Sequence, residues 1–537
     1  MARSRRSGRR EIGDRSRATQ RPAAAGPAGS VPSTRPAVPD RPTPGEWTAA
    51  AVILAAGVAL RVVELGDLRA WDVDEAHMVL VAQGSFGEIV TRLQTEAYPP
   101  LWFFAEHLWT ALLGVSEAAA RSLSVVFALL TVPVVFLAGR RVAGERPALY
   151  AAVLLAVAPL HVFYAREARM YALLVLCAAL VFWLLHRAVD LGRRRDWVAL
   201  GAALAAAAWV HTYGLFLFAA TAACIVLPSY RARAKPLLAT LGAAFAAHAP
   251  WLPTILGQAQ TGGESWMADF FAALPGWAAP LRSLELLGAG GAYPVMNYAL
   301  AEHTALRWPA VALYALALGW FAWTPRIRRP LKFAAALFLL LPLALPWAYS
   351  LASHPIYVAG RYDVMVIPVY VLVLGLALDA LRPALRYPLL VSFLALSAWT
   401  LYPLYARSPQ LPGPARAAHI LENAAPGDLV LATDIVGQTL RIEFLEANAP
   451  LEVRSFPAVT DEHPGWVDYD RLDRVALPAE ADALSRSLRA AGRTVWLVLP
   501  VRTYVTDTLA SRLERDFAVD PRRSAGALQV VRLVPRP

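Results

Sequence analysis

Charged residues are scarce in this chain. Asp, Glu, Lys and Arg make up only 17% of the 537 residues, whereas 57% are hydrophobic, which is too apolar for a soluble protein of two or three domains. The 2 cysteines, Cys177 and Cys224, both lie within apolar runs, so no disulfide framework is indicated. The sequence also lacks a dinucleotide-binding glycine motif and an HExxH metal motif, which argues against nucleotide-binding enzymes and zincin-type metalloenzymes.

Positive charge exceeds negative charge. The chain has 51 Lys and Arg against 40 Asp and Glu, but the basic residues form short clusters between apolar runs. This distribution is typical of membrane topology rather than nucleic-acid binding, so no nucleic-acid partner is predicted. Residues 1–46 are rich in Arg, Pro, Ala, Gly and Ser without hydrophobic periodicity, which predicts a disordered basic cytoplasmic tail. The apolar run 48–63 lacks a following small-residue cleavage site, so we expect a retained first helix.

Eleven apolar runs are candidate membrane spans, since a helix needs about 20 apolar residues to cross a bilayer. They are 47–64, 118–138, 147–163, 170–187, 197–211, 213–229, 236–256, 306–324, 331–351, 362–380 and 387–405. One further run, 98–113, decides the topology. If it does not cross, all the basic clusters fall on the cytoplasmic side, as the positive-inside rule requires. We therefore expect 98–113 to be re-entrant or to lie on the membrane surface.

The predicted fold is an α-helical polytopic membrane protein with about eleven transmembrane helices in residues 47–405. From there the pattern changes, because helical stretches at 414–424, 479–491 and 505–516 alternate with strand-like runs at 428–432, 494–499 and 528–533. This alternation predicts a small α/β domain at 406–537 with an at least partly parallel sheet. We expect a multi-pass protein of the inner (cytoplasmic) membrane, with its N-terminus cytoplasmic and its C-terminal domain extracytoplasmic.

Two adjacent carboxylates, Asp74 and Glu75, follow the first span on the predicted outer side. Ionisable residues near bilayer depth are costly and are commonly functional. A carboxylate at this position can deprotonate an acceptor hydroxyl, or it can bind a divalent cation. A solvated loop charge or a helix cap is the alternative interpretation.

Arginines also lie on the predicted outer side. Arg166 and Arg169 flank Glu167 in a turn between two spans, and Arg361 follows Gly360 at the start of another. Basic residues outside oppose the positive-inside trend, and arginine is suited to bidentate hydrogen bonding with phosphate. A phosphate at this depth would be the head group of a lipid carrier. An internal Arg–Glu pair that only stabilises the turn is the alternative.

Further polar and aromatic side chains in these segments are candidates for lining a substrate cavity. They are Tyr98, His161, Tyr164, Glu167, Tyr171, His211, Tyr213 and Tyr362. Aromatic residues at this depth commonly belong to the interfacial belt, and a histidine at a helix end is more often structural. The histidines are scattered without metal-ligand spacing.

The motifs occur in a familiar order. They are Asp74-Glu75, Pro99-Pro100-Leu101, Glu167-Ala168-Arg169-Met170-Tyr171, His211-Thr212-Tyr213-Gly214 and Gly360-Arg361-Tyr362. In this order and with this sidedness, residues 50–405 resemble the GT-C membrane glycosyltransferases. The branch they resemble is that of the protein O-mannosyltransferases and lipid A aminoarabinose transferases (glycosyltransferase family 39-like).

The resemblance implies an inverting transfer of a hexose or pentose from a polyprenyl-phosphate-linked donor to an acceptor on the outer side. It implies that Asp74 is the general base or a metal-assisting carboxylate and that Glu75 is its companion. The implied ligands of the donor phosphate are Arg166, Arg169 and Arg361, which would stabilise charge on the leaving group. Tyr98 stands where relatives often have His or Lys, which puts a substrate contact from this position in question.

Several questions stay open on the sequence. The sequence does not decide whether the acceptor is a protein, a glycolipid or a cell-envelope polysaccharide. It also does not decide whether the reaction requires a divalent cation held by Asp74 and Glu75. A transporter or flippase of lipid-linked saccharides is the alternative function, but it predicts ionisable residues within the spans and pseudo-symmetric halves. Few charges lie in the spans, and no internal repeat is evident. A non-catalytic membrane scaffold would leave the alignment of the outer polar residues unexplained.

Overall fold

The computed structural model describes residues 43–66, 70–96, 98–260, 265–272, 276–288, 304–406, 412–433, 436–449, 451–462, 476–499 and 503–537. Residues 1–42, most of the predicted tail, lie outside the described residues. The chain up to residue 406 forms helices. They are α1 (Pro44–Val62), α2 (Val73–Ala82), α3 (Phe86–Leu93), α4 (Leu101–Leu113), α5 (Glu117–Ala143), α6 (Glu145–Ala156), α7 (Pro159–Ala165), α8 (Tyr171–Leu191), α9 (Arg194–Val210), α10 (Leu215–Ala223), α11 (Pro228–Arg231), α12 (Ala234–His248), α13 (Leu252–Gln260), α14 (Ser265–Ala272), α15 (Ala279–Gly288), α16 (Thr304–Trp323), α17 (Arg329–Ala352), α18 (Ile367–Ala380) and α19 (Pro383–Ala406).

Several of these helices are long and apolar enough to cross a membrane. Within the described residues there are five, namely α5, α8, α17, α19 and the segment Tyr362–Ala380 that ends in α18. The bent pair α6 and α7 adds a sixth if it is one span. These helices indicate a multi-pass membrane protein, and the number of eleven spans stays a prediction. The run 98–113 forms α4, whose 13 residues extend about 20 Å, which is shorter than the hydrocarbon core of about 30 Å.

The bend of 56° between α6 and α7 has a local cause. Pro159 occupies the first turn of α7 and has no N–H to donate to the last carbonyls of α6. The fully buried Arg61 of α1 donates instead, to the carbonyls of Ala156 at 2.9 Å and Leu155 at 3.4 Å. Its guanidinium also lies 2.9 Å from Nδ1 of His161. This network sets the direction of α7 and of the turn that follows it.

The helix α18 lies deep in the bundle. A Cβ at Gly375 would meet the carbonyl oxygen of Pro147 at 2.5 Å and the nitrogen of Ala151 at 3.0 Å, so only glycine allows α18 to approach α6 this closely. Small residues at such contacts are typical of helix association within membranes. The residues that precede α18, including Arg361, are therefore held by a buried and closely packed helix.

The C-terminal part is an α/β unit with a five-stranded sheet. Its elements are α20 (Gly413–Asn423), β1 (Leu429–Thr433), α21 (Val436–Glu446), β2 (Glu452–Phe456), α22 (Val459–Glu462), α23 (Ala476–Ala490), β3 (Val495–Val498), α24 (Tyr504–Asp516), β4 (Phe517–Val519) and β5 (Val530–Pro535). The strand order is β2-β1-β3-β5-β4. Strand β1 is parallel to β2 and β3, whereas β5 is antiparallel to β3 and β4. The prediction of a partly parallel sheet is confirmed, although β2, β4, α21 and the short α22 were not predicted.

Helix α21 packs against α2, the helix that carries Asp74 and Glu75. Ile442 is fully buried in one cluster with Trp71, Ala76 and Val79, outside the two apolar clusters that form the core of the C-terminal unit itself. The indole of Trp71 also donates a hydrogen bond to Oε2 of Glu446 at 3.1 Å. The C-terminal unit therefore supports the start of α2.

Ile442→Asp is expected to loosen α2 without unfolding the C-terminal sheet. The substitution buries a carboxylate among apolar side chains, which costs several kcal/mol, on the order of 2–7 for a polar group. Hydrogen–deuterium exchange in detergent should rise in residues 73–82 and stay low in β1 and β3. Val519→Asp, at a strand position that is half exposed, is the matched control. Unchanged exchange in α2 would show that the contact does not support this helix.

Candidate active site

The Asp74–Glu75 pair occupies the first turn of α2. The side chain of Asp72 accepts a hydrogen bond from the backbone N–H of Asp74 at 3.0 Å, and the carboxylate of Glu75 accepts one from the backbone N–H of Asp72 at 3.3 Å. This reciprocal capping box fixes where the helix begins. Neighbouring residues of a helix point about 100° apart, so the two carboxylates have different surroundings.

Two arginines that are distant in sequence converge on Asp74. Oδ2 of Asp74 lies 2.7 Å from Nη1 of Arg169 and 3.0 Å from Nη2 of Arg361. The hydroxyl of Tyr171 accepts further hydrogen bonds from both guanidinium groups, at 3.1 Å from Arg169 and 2.9 Å from Arg361. We refer to Arg169 and Arg361 as the arginine pair. One carboxylate oxygen and one phenol oxygen hold the pair together.

The exposure of these groups differs. The side chain of Asp74 is 28% exposed, whereas those of Arg169 and Arg361 are 6% and 4% exposed. Burial by itself would raise the pKa of Asp74, but the charges of Arg169 and Arg361 outweigh it and hold the pKa below its usual value. Asp74 is therefore an anion at neutral pH and a weak proton acceptor. A phosphate offers the same charge and more acceptor oxygens to the arginine pair.

The backbone before Arg361 requires glycine. Gly360 has φ +81°, a conformation that favours glycine, and a Cβ there would lie 2.8 Å from Cδ1 of Leu286. Its N–H donates to Oδ2 of Asp363 at 2.9 Å, and its carbonyl accepts a hydrogen bond from the hydroxyl of Tyr164 at 2.6 Å. These bonds position Arg361.

An aromatic group surrounds the arginine pair. The ring of Tyr362 lies 4.9 Å from His211, 5.0 Å from Tyr213 and 6.3 Å from Tyr171, measured between centroids. Tyr98 lies 6.3 Å from His211. Nδ1 of His211 accepts a hydrogen bond from the backbone N–H of Tyr213 at 3.0 Å, so this nitrogen carries no proton and the imidazole is neutral. With Tyr164, 4.5 Å from Tyr171, six of the predicted cavity residues come together.

The carboxylate of Glu75 has a different environment from that of Asp74. It is fully buried and accepts hydrogen bonds from Nε of Arg121 at 3.0 Å, Nη2 of Arg121 at 3.1 Å and the backbone N–H of Ala168 at 2.8 Å. Through Ala168 it connects α2 with the turn that carries Arg169. The predicted companion of Asp74 thus lies on a different, buried face of the helix, where Arg121 compensates its charge.

Three other predicted site residues, Arg166, His161 and Glu167, do not bind Asp74. The guanidinium of Arg166 donates to the carbonyls of Val63 at 2.8 Å and Glu64 at 3.1 Å, where α1 has just ended, because a helix end leaves carbonyls without intrahelical partners. His161 contacts Arg61 at the bend described above. Glu167 is buried in the turn and interacts electrostatically with Arg169.

A divalent cation does not fit these residues. Oδ2 of Asp74 already binds two guanidinium groups, whose charges repel a cation, and Glu75 is enclosed by Arg121 and Ala168. No group of three or more His, Cys, Asp or Glu side chains suited to a metal occurs in the part of the chain that the structure describes. We therefore derive no step through a metal.

The sequence interpretation passed over His77, which lies close to Asp74. Its Nε2 is 2.8 Å from Oε2 of Glu96, and Nε of Arg92 donates to Oε1 of the same carboxylate at 2.8 Å. The sequence did contain a signal for this proximity, since His77 follows Asp74 by three residues and residues at this spacing share a helix face. The signal can be used only once it is known that the helix α2 begins at residue 73.

Known proteins share parts of this sequence and most of its fold. Residues 97–254 match the family model described as dolichyl-phosphate-mannose-protein mannosyltransferase; this range contains Arg169 but neither Asp74 nor Arg361. No curated protein matches in sequence. ArnT from Cupriavidus metallidurans bound to undecaprenyl phosphate is 17% identical with a TM-score of 0.59, over 91% of this chain and 98% of ArnT. The structure of ArnT in the apo state is 14% identical to this chain with a TM-score of 0.59, over the same shares of both chains.

A more distant structure is the archaeal oligosaccharyltransferase AglB from Archaeoglobus fulgidus. It is 12% identical with a TM-score of 0.48, over 90% of this chain and 74% of AglB. The resemblance to membrane glycosyltransferases, expected from the order of five short motifs, is confirmed. This chain has an ArnT-like fold, and its residues 97–254 match the mannosyltransferase family model.

Proposed function

We propose that the protein is an inverting glycosyltransferase. It moves a hexose or pentose from a polyprenyl-phosphate-linked donor to an acceptor at the outer face of the cytoplasmic membrane. The observation that carries this proposal is the arginine pair, two buried guanidinium groups that meet at one oxygen of the partly exposed Asp74. Undecaprenyl phosphate is bound by ArnT, which supports a lipid phosphate as the ligand of the arginine pair here.

The proposed topology has eleven spans, a cytoplasmic N-terminus and an extracytoplasmic domain at 406–537. In this topology α4 does not cross the membrane, and the basic clusters then lie on the cytoplasmic side, as the positive-inside rule favours. One contact supports the proposed side of the C-terminal unit. Helix α21 of the C-terminal unit contacts α2, so this unit and Asp74 lie on the same side of the membrane. The catalytic part is then the chain from 47 to 405.

In the proposed reaction the donor phosphate binds the arginine pair. The acceptor oxygen attacks the anomeric carbon from the side opposite the phosphate, the bond from carbon to phosphate oxygen breaks, and the configuration inverts. Charge develops on the leaving phosphate, where preorganised buried guanidinium groups stabilise it most strongly. Asp74, released from the arginine pair, faces the positive charge that develops on the sugar ring. The acceptor is a protein, a glycolipid or a polysaccharide.

Arg361→Gln is expected to lower transfer by about 10²–10³-fold, the effect of removing one transition-state donor. The assay measures radiolabelled sugar transferred from polyprenyl-phosphate donors by the full chain in proteoliposomes. Acceptors are a Ser/Thr-containing peptide, a lipid A-like glycolipid and a polysaccharide. Arg307→Gln is the control, because Arg307 pairs with Glu285 at 2.5 Å and has no place in the proposed reaction. Absence of transfer by the wild type from every donor would contradict the proposed function.

A further inference from the structure

The hydroxyl of Tyr171 has a proton for which the described residues provide no acceptor. A hydroxyl group offers one O–H donor and two acceptor lone pairs. Both acceptor positions are used in Tyr171, because Nη2 of Arg169 donates to its oxygen at 3.1 Å and Nε of Arg361 donates to it at 2.9 Å. The side chain is fully buried, and a buried donor without an acceptor costs free energy. The O–H is therefore the part of this phenol that a ligand can satisfy.

Two neighbouring tyrosines use their hydroxyl protons within the protein. Tyr164 donates to the carbonyl of Gly360 at 2.6 Å, and Tyr213 donates to the carbonyl of Ile356 at 2.6 Å. Both bonds hold the backbone segment that leads to Arg361. Tyr171 differs from these two residues, because both of its hydrogen bonds within the described chain are bonds that it accepts.

The phenol oxygen of Tyr171 lies beside the carboxylate oxygen of Asp74 on both arginines. On Arg361 the phenol oxygen binds Nε and Oδ2 of Asp74 binds Nη2, whereas on Arg169 the same two oxygens bind Nη2 and Nη1. In each case the two nitrogens are neighbours in the planar guanidinium fork, which holds two oxygens side by side. A phosphate oxygen that takes the place of Oδ2 therefore arrives next to the O–H of Tyr171.

The position of the phenol is fixed before a ligand binds. Tyr171 is the first residue of α8, and its ring lies 4.5 Å from the ring of Tyr164, measured between centroids. The guanidinium of Arg169 lies 4.9 Å from the centroid of the Tyr171 ring. A donor that is already held in place needs no reorganisation when charge develops on its acceptor.

We propose that the O–H of Tyr171 is a third ligand of the donor phosphate, beside the arginine pair, and that its hydrogen bond strengthens as the leaving phosphate gains charge. This inference rests on the proposed glycosyl transfer. The phenol keeps its proton throughout, so the bonds that form and break are those of the proposed reaction. Hydrogen bonds to a charged acceptor are shorter and stronger than those between neutral groups, which gives a single O–H a large effect here.

Tyr171→Phe removes the O–H and is expected to raise the Kd for undecaprenyl phosphate about tenfold and to lower kcat by about 10²-fold. Binding is measured with the full chain in detergent, and kcat is measured in proteoliposomes with the labelled donor. Uncharged undecaprenol is the reference ligand, and its Kd should not change, because it has no phosphate for Tyr171 to bind. Tyr504→Phe is the matched control, since Tyr504 is 47% exposed in the C-terminal unit.

A second variant is needed because Tyr171→Phe also removes the oxygen that accepts from the arginine pair. Tyr171→3-fluorotyrosine makes the hydroxyl a stronger donor and a weaker acceptor, since fluorine withdraws electrons from the phenol oxygen. A phosphate ligand is expected to bind undecaprenyl phosphate more tightly after this change, by about twofold, a fraction of one charged hydrogen bond. A phenol that only positions the arginines would bind it more weakly. Tyr504→3-fluorotyrosine is the control for the substitution itself.

Two results would overturn the inference. One is weaker binding of undecaprenyl phosphate by the fluorinated variant, and the other is a wild-type Kd and kcat in Tyr171→Phe. The binding measurements do not depend on transfer. Tighter binding by the fluorinated variant in a chain that transfers no sugar would therefore uphold the phosphate contact and contradict the proposed function alone.

Discussion

Asp74→Asn is expected to bind polyprenyl phosphate more tightly than the wild type and yet to transfer sugar at least about 10²-fold more slowly. In the structure Oδ2 of Asp74 occupies both arginines, so an incoming phosphate must displace a carboxylate and then lie beside its charge. The neutral amide removes this competition. Turnover falls because no anion faces the sugar ring in the transition state and because the product phosphate is held more firmly.

The gain in affinity should reach about tenfold, equivalent to about 1.4 kcal/mol, and it should shrink at high ionic strength. Binding is measured with undecaprenyl phosphate in detergent, and turnover with the labelled donor. Asp482→Asn is the matched control, because Asp482 belongs to a surface pair with Arg512 in the C-terminal unit. Asp72 still caps α2 in the variant, so the helix keeps its start. Weaker binding by Asp74→Asn would contradict the exchange of carboxylate for phosphate.

The sequence predicted which residues belong to this site better than it predicted which residues they contact. Asp74 could be singled out as an ionisable residue near bilayer depth, and Arg169 and Arg361 as basic residues on the outer side, which oppose the positive-inside rule. Their convergence on one oxygen could not be predicted, since Asp74 and Arg361 are 287 positions apart and meet only through the tertiary packing of the helices. Glu75 and Arg166 carry the same sequence signal as their neighbours, yet Glu75 faces Arg121 and Arg166 caps α1.

In the C-terminal unit, too, the sequence predicted only those elements of secondary structure that have a clear local pattern. Strands β1 and β3 are continuous apolar runs with every residue buried, and both were predicted. Strand β2 is at the sheet edge with charged Glu452 and Arg454, and β4 has only three residues, so neither gives a periodic signal. Helix α21 was missed although its Ile442 makes the contact with α2. Edge strands and docking surfaces depend on neighbours that a local pattern does not contain.

The pair of Glu75 and Arg121 should be the most sensitive point for stability. Glu75→Leu or Arg121→Met alone leaves one buried charge without its main partner, which costs about 3–5 kcal/mol. Arg121 is 2% exposed and Glu75 0%, so water cannot replace the lost partner. Each single variant should therefore unfold at a clearly lower temperature in detergent than the wild type. The surface pair of Glu452 and Arg454, which is 43% and 46% exposed, is the matched control and should change stability by about 0–1 kcal/mol.

The double variant Glu75→Leu/Arg121→Met distinguishes a lost charge balance from a lost contact. Two apolar side chains of similar volume remove both buried charges, so most of the stability should return. Recovery should stop about 1–3 kcal/mol short, because the N–H of Ala168, now 2.8 Å from Glu75, loses its acceptor. This N–H belongs to the turn of Arg169, so the recovered protein should fold but bind undecaprenyl phosphate more weakly than the wild type. A double variant as unstable as both single changes combined would mean that the pair acts through packing rather than charge.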